Sequence, residues 1–183
     1  VEDFRFLTGN GNYTDDINRP GQTYAYMLRS PHAHATINSI DTADAEAAQG
    51  VVAVFTGDDM QVGGLPCGWQ IHSEDGSPMH EPTHPSLAQG KVRHVGDQVA
   101  VVIAETLEQA KTAATLINID YGILPAVMDM KAAEAGGTLV HEEIETNKCY
   151  DWGIGDKSAV DEALASSAHI TEIDIVNNRL IPN

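Results

Sequence analysis

The side chains in this sequence best suited to hold a metal or activate a nucleophile are its histidines and its two cysteines, and their spacing argues against most of that chemistry. His32 and His34 alternate at the start of a predicted strand, which presents both rings to one face. A His-x-His pair supplies two ligands, but a stable site also needs a third, a fourth and an outer shell of hydrogen bonds. No Asp, Glu or Cys is adjacent to complete the set. The two therefore read as hydrogen-bonded structural histidines, since neutral imidazole is both donor and acceptor. His80 and His84, with His72 upstream, have the i, i+4 spacing of a zinc helix, but Pro82 and Pro85 exclude a helix there. Cys67 lies near His72, yet an activated thiolate needs an electropositive setting that this acidic stretch lacks.

Glycine and serine motifs are no more productive. Gly9-x-Gly11 follows no predicted strand and precedes no helix. Gly153-x-Gly155 precedes one, but Asp156 places a carboxylate where a phosphate would bind, and Ser158 stands where a dinucleotide fingerprint has its third glycine. Ser30, Ser73, Ser77 and Ser86 lie outside any Gly-x-Ser-x-Gly elbow. Cys67 and Cys149 are too few to ligate an iron–sulfur cluster and are read as reduced thiols of a cytoplasmic protein. The sequence thus predicts no catalytic, cofactor-binding or metal residue of its own.

The elements that would position any site fall into two strand–helix–strand units. Residues 24–29 and 35–40 read as partner strands, with Pro31 confined to their connection because it cannot donate a ladder hydrogen bond. Thr42 caps a short helix that ends at Gly50, and 51–55 reads as a buried strand. Residues 99–104 form an apolar run expected of a strand covered on both faces. Thr106 and Gln109 have capping-box spacing, Leu107, Ala110, Ala114 and Ile117 mark one helical face, and 117–121 is a strand again. Between the units, residues 61–89 form a long loop without periodicity, a length that usually serves a partner or a site. Beyond Pro125 the pattern loosens to a short helix near 129–135, a helix over 156–165 and a strand over 169–176 that leads outward through Asn177, Asn178 and Arg179 to Asn183.

Composition narrows the partners. The chain has 183 residues, 42% of them hydrophobic, which suits one globular domain with an appended piece. Its net charge is −17, and residues 30–90 contain no Lys or Arg. Nucleic acid requires a basic stripe, and an anionic membrane surface would repel such a chain. No run approaches the roughly 20 apolar residues of a membrane span. Val1 is not a natural start, so the sequence reads as a piece of a longer polypeptide.

Three phrases in this order carry a family resemblance: Arg5-Phe6-Leu7-Thr8-Gly9, then Arg29-Ser30-Pro31-His32-Ala33-His34-Ala35, then Val92-Arg93-His94-Val95-Gly96-Asp97-Gln98-Val99-Ala100. Val51 to Gly57, Leu124 to Val127 and Val140-His141-Glu142-Glu143 strengthen it. Together they resemble the N-terminal α/β-hammerhead domain of molybdenum hydroxylase large subunits, the xanthine dehydrogenase and aldehyde oxidase family. Cys67-Gly68-Trp69-Gln70-Ile71-His72-Ser73 and the exit from Val176 to Asn183 are most similar to large chains of the carbon monoxide dehydrogenase type.

The resemblance implies an α+β fold, with a hammerhead domain over 1–126 and an extension over 127–183 toward absent molybdenum-binding domains. It implies a molybdenum–pterin cofactor, in its cytosine dinucleotide form, held by later parts of such a chain. Two [2Fe–2S] clusters and FAD would lie on partner small and medium subunits or domains. Activity would be oxidation of CO, aldehydes, purines or N-heterocycles, and this piece would be a non-catalytic scaffold. Arg29 and Arg93 are then expected to anchor carboxylates across an interface, because guanidinium pairs bidentately. Two alternatives stand beside this: a free-standing acidic binding or assembly module, and a hydrolase using Cys67 and His72.

Overall fold

The computed structural model describes residues 3–60 and 63–175. In chain order the elements are α1 (Asp3–Leu7), a 3-10 turn (Thr14–Asp16), β1 (Tyr24–Arg29), β2 (Ala35–Asp41), α2 (Ala43–Glu46), β3 (Val51–Thr56) and a second 3-10 turn (Gly57–Asp59). Then come β4 (Lys91–Val92), β5 (Gln98–Ala104), α3 (Leu107–Ala114), β6 (Asn118–Ile123), α4 (Met130–Ala135) and α5 (Lys157–Ala165). The strands form two antiparallel three-stranded sheets, ordered β1-β5-β3 and β4-β2-β6. Each strand–helix–strand unit begins in one sheet and ends in the other. β2-α2-β3 crosses one way and β5-α3-β6 crosses back.

That crossing corrects the expectation that 24–29 and 35–40 pair with each other. β1 pairs with β5, and β2 pairs with β4 and β6. The cause lies at Ser30, whose N–H donates to the Asp97 carbonyl at 2.8 Å while its own carbonyl accepts from Gly96 N–H at 2.9 Å. The chain leaving β1 is therefore held against the start of β5 and cannot turn back as a hairpin.

β5 is the central strand of its sheet, and its burial explains its continuous apolar sequence. Ala100, Val102 and Ala104 are buried against Ala110, Ala113 and Ala114 of α3. Alanine on both sides lets helix and sheet approach closely. Leu28, Val51, Val54 and Ile119 close the edges of this core. A register shift beside Val99 leaves both Val99 and Ala100 fully buried, as a bulge can do by breaking the inside–outside alternation. Val99 thereby joins Ala35, Ala88 and Val92 in a second small core under the β4-β2-β6 sheet. Thr106 caps α3 as expected: its Oγ accepts from Gln109 N–H at 3.2 Å, and Gln109 Oε1 accepts from the Thr106 hydroxyl at 2.9 Å.

Two other expectations need correction. The 51–55 strand is not buried, because β3 is an edge strand with Val52 61% and Phe55 39% exposed. No strand forms within 169–175, where every residue is exposed. Ile173, Asp174 and Ile175 alternate as a strand would, but without a partner the ladder cannot form. The remainder of that expected strand and the exit from Val176 to Asn183 lie outside the described residues.

Candidate interface on the long loop

The expected loop between the two units is held by four tiers of hydrogen bonds. At its base Gln89 Nε2 donates to the carbonyls of Gly57 and Met60, both at 3.1 Å. Higher up, Leu65 N–H donates to His84 O at 2.9 Å. Above that the chain doubles back, with Met79 N–H on Ile71 O and Ser73 N–H on Ser77 O, both at 2.8 Å, around the His72–Pro78 bridge. Asp75 closes this turn by accepting from the Ser77 hydroxyl and then its N–H, which hold its carboxyl below the usual carboxylate range.

The fourth tier is a strap made by residues 146–151, far away in sequence. His80 N–H donates to Cys149 O and Glu74 N–H to Asp151 O, each at 2.9 Å, and Asp151 N–H donates to Ser73 Oγ at 3.1 Å. Lys148 bridges Glu134 and Asp151, and those carboxylates raise its ammonium above the ordinary lysine value, Glu134 first. A cavity of about 370 Å³, lined by Ser73, Glu74, His80, Lys148 and Asp151 among others, opens beside the strap. A second of about 280 Å³ is lined by Pro82, Val140 and Ile144. At the loop tip Trp69 is 80% exposed.

Neither thiol is poised for nucleophilic attack. Cys67 Sγ donates to the Trp69 carbonyl at 3.3 Å and Cys149 Sγ to the His80 carbonyl at 3.1 Å, so each meets a backbone acceptor rather than an imidazole. Cys67 and His72 are not brought together. His80 and Cys149 are 69 positions apart, and no residue pattern signals that they meet.

The histidine pair separates in space. His34 is 5% exposed, with Nδ1 2.8 Å from the Pro125 carbonyl. A carbonyl only accepts, so Nδ1 carries the proton, and Nε2 is buried without a partner among the described residues. His32 instead meets the Tyr121 ring edge-on at 4.9 Å. Burial raises the Tyr121 hydroxyl above its ordinary value. Among the described residues no three His, Cys, Asp or Glu side chains are grouped to hold a metal ion. The described residues therefore offer no protein ligand set for a metal centre, molybdenum included.

Both arginines singled out in the sequence have partners inside the chain. Arg29 Nη1 donates to Gly96 O at 2.9 Å on an exposed surface. Arg93 is half-buried and its Nε donates to Val140 O at 3.1 Å. Beside it Lys91 pairs with Glu142, and that ammonium is the main cause holding the Glu142 carboxyl below its usual range. Asp156 takes the N-terminus of α5 by accepting from Ala159 N–H at 3.0 Å. No helix among the described residues is long and apolar enough to cross a membrane.

This architecture and the motifs on it match known proteins. Residues 8–125 match the family model of the aldehyde oxidase and xanthine dehydrogenase a/b hammerhead domain. Over its whole length the chain is 33% identical to 23% of the carbon monoxide dehydrogenase large chain of Afipia carboxidovorans. It is 36% identical to the nicotine 6-hydroxylase large subunit of Paenarthrobacter nicotinovorans, across 93% of this chain and 20% of that one. The solved Cu,Mo-CO dehydrogenase superposes with a TM-score of 0.75 at 33% identity, covering 92% of this chain and 22% of that chain. The chain therefore spans about a fifth of the length of the relatives it matches. With well over half its residues in that match and the same fold, the chain belongs to the aldehyde oxidase and xanthine dehydrogenase family, as its α/β hammerhead domain.

Proposed function

We propose that this chain is the N-terminal structural domain of a molybdenum-dependent oxidoreductase large subunit, and that it carries no catalytic residue of its own. The observation behind this is that identity to a carbon monoxide dehydrogenase large chain runs through the entire chain, extension included. In this reading the hammerhead ends near residue 126, and 127–183 leads to the domains that hold a molybdenum–pterin cofactor in its cytosine dinucleotide form. Iron–sulfur and flavin partners complete the cytoplasmic complex. The strapped loop walls the approach to the reacting centre, since a water-excluding cavity is what such chemistry requires of its protein. Arg29 and Arg93 keep donors for carboxylates at that boundary, because each guanidinium has five N–H groups and gives one to the carbonyl of Gly96 or Val140.

Relatives are named for action on compounds as different as CO and nicotine. The test is dye reduction by the native complex, captured through this domain and offered CO, aldehydes, purines and N-heterocycles in turn. Turnover of one class supports the reading. No turnover of any, in a protein that also lacks molybdenum, contradicts it. Arg93→Ala tests the boundary role: partner subunits retained unchanged would remove Arg93 from the interface.

A further inference from the structure

Among the described residues, the β1-β5-β3 sheet has one face covered and one open. α3 covers the face built by Leu28, Val51, Val54, Ala100, Val102 and Ala104. Register defines the other face. Ala25 pairs with Ile103 and Met27 with Val101 on one side, while Ala53 pairs with Ile103 and Phe55 with Val101 on the other. These pairs make two apolar rows, Ala25–Ile103–Ala53 and Met27–Val101–Phe55, crossing all three strands. Met27 is 38% and Phe55 39% exposed, and the central Val101 and Ile103 are only half-buried.

An antiparallel sheet facing water on one side carries polar residues on that side. Here all six positions are apolar, although a fifth of the chain is charged. A contiguous apolar patch of this kind marks an interface, and the absence of charge from its centre fits a permanent contact better than a transient one.

We infer that the open face Ala25–Met27–Ala53–Phe55–Val101–Ile103 is the seat on which later domains of the same polypeptide dock. The inference rests on the proposed function, because that reading supplies the occupant. The large chains matched by this one extend four to five times its length, and a linked domain meets such a face at high effective concentration, with no charge steering needed.

Two measurements on the intact native protein test this. A photo-crosslinking amino acid at position 55 is expected to join peptides of the same polypeptide from outside residues 1–183. Hydroxyl-radical oxidation of Met27 is expected to run at least ~10-fold slower than that of a free Met peptide. Crosslinks to another subunit or to a second copy overturn the inference, as does Met27 oxidised at the peptide's rate. If the protein contains molybdenum and these results still fail, only the docking face is wrong. If it lacks molybdenum, the functional reading has failed first.

Discussion

Arg93 Nε donates to the Val140 carbonyl at 3.1 Å, while the backbone N–H of Arg93 donates to Asp97 Oδ2 at 3.0 Å. One residue thus joins the turn after β4 to the segment beyond α4. Asn147 consolidates that segment, accepting from Val140 N–H at 3.0 Å and donating to Thr138 O at 2.9 Å. Arg93→Ala should release residues 138–148 at a cost of about 1–2 kcal/mol, the usual worth of a charge-assisted hydrogen bond that is partly shielded. Hydrogen exchange should rise there and stay unchanged in β5.

Glycines in the long loop should differ sharply in tolerance. A Cβ on Gly64 would lie 2.5 Å from His84 N and 2.7 Å from His84 O, both backbone atoms that cannot step aside. A Cβ on Gly68 would meet nothing within 4 Å. Gly64→Ala should open the Leu65–His84 tier and speed proteolysis of the loop several-fold, whereas Gly68→Ala should leave the digestion pattern unchanged.

His34 and His32, two residues apart, should respond differently to alanine. His34→Ala removes a buried ring and its hydrogen bond to Pro125, so a loss of ~2–4 kcal/mol is expected. His32→Ala removes only an edge contact with Tyr121, worth about 1 kcal/mol. Urea denaturation of the two variants in the same background measures the difference.

Acid should loosen the extension through Glu142. Lys91 holds the folded-state pKa of this carboxyl below its unfolded value, so the pairing stabilises above the ordinary carboxylate range and is lost as pH falls through the depressed value. Hydrogen exchange of 139–143 should therefore increase as pH drops below about 4, once corrected for the intrinsic rate. Glu142→Gln should show the loosened state already at pH 7 and lose that pH dependence.

Local signals made much of this fold legible. The apolar run ending at Ala104 and the Thr106–Gln109 cap marked β5 and α3, and the helices expected near 129–135 and over 156–165 form as α4 and α5, capped by Asp129 and Asp156. Strand partnership was not legible, because Ser30 is captured by Gly96 and Asp97, and nothing near Ser30 encodes that. The short helix α1 was also missed, since five residues carry too little periodicity. At the loop, the lack of periodicity was legible, and no named helix or strand lies between Asp59 and Lys91 among the described residues. Its strap was invisible, because backbone bonds between residues 74–80 and 149–151 leave no mark on residue type. The arginines were found as residues, but their partners inside the chain are carbonyls, which every sequence offers everywhere.

The central claim is that this domain belongs to a molybdenum-dependent oxidoreductase, and metal analysis of the native protein captured through the domain tests it most directly. The account predicts molybdenum with iron in about fourfold excess, as two [2Fe–2S] clusters per molybdenum require. A native protein of this sequence that carries neither metal would contradict it.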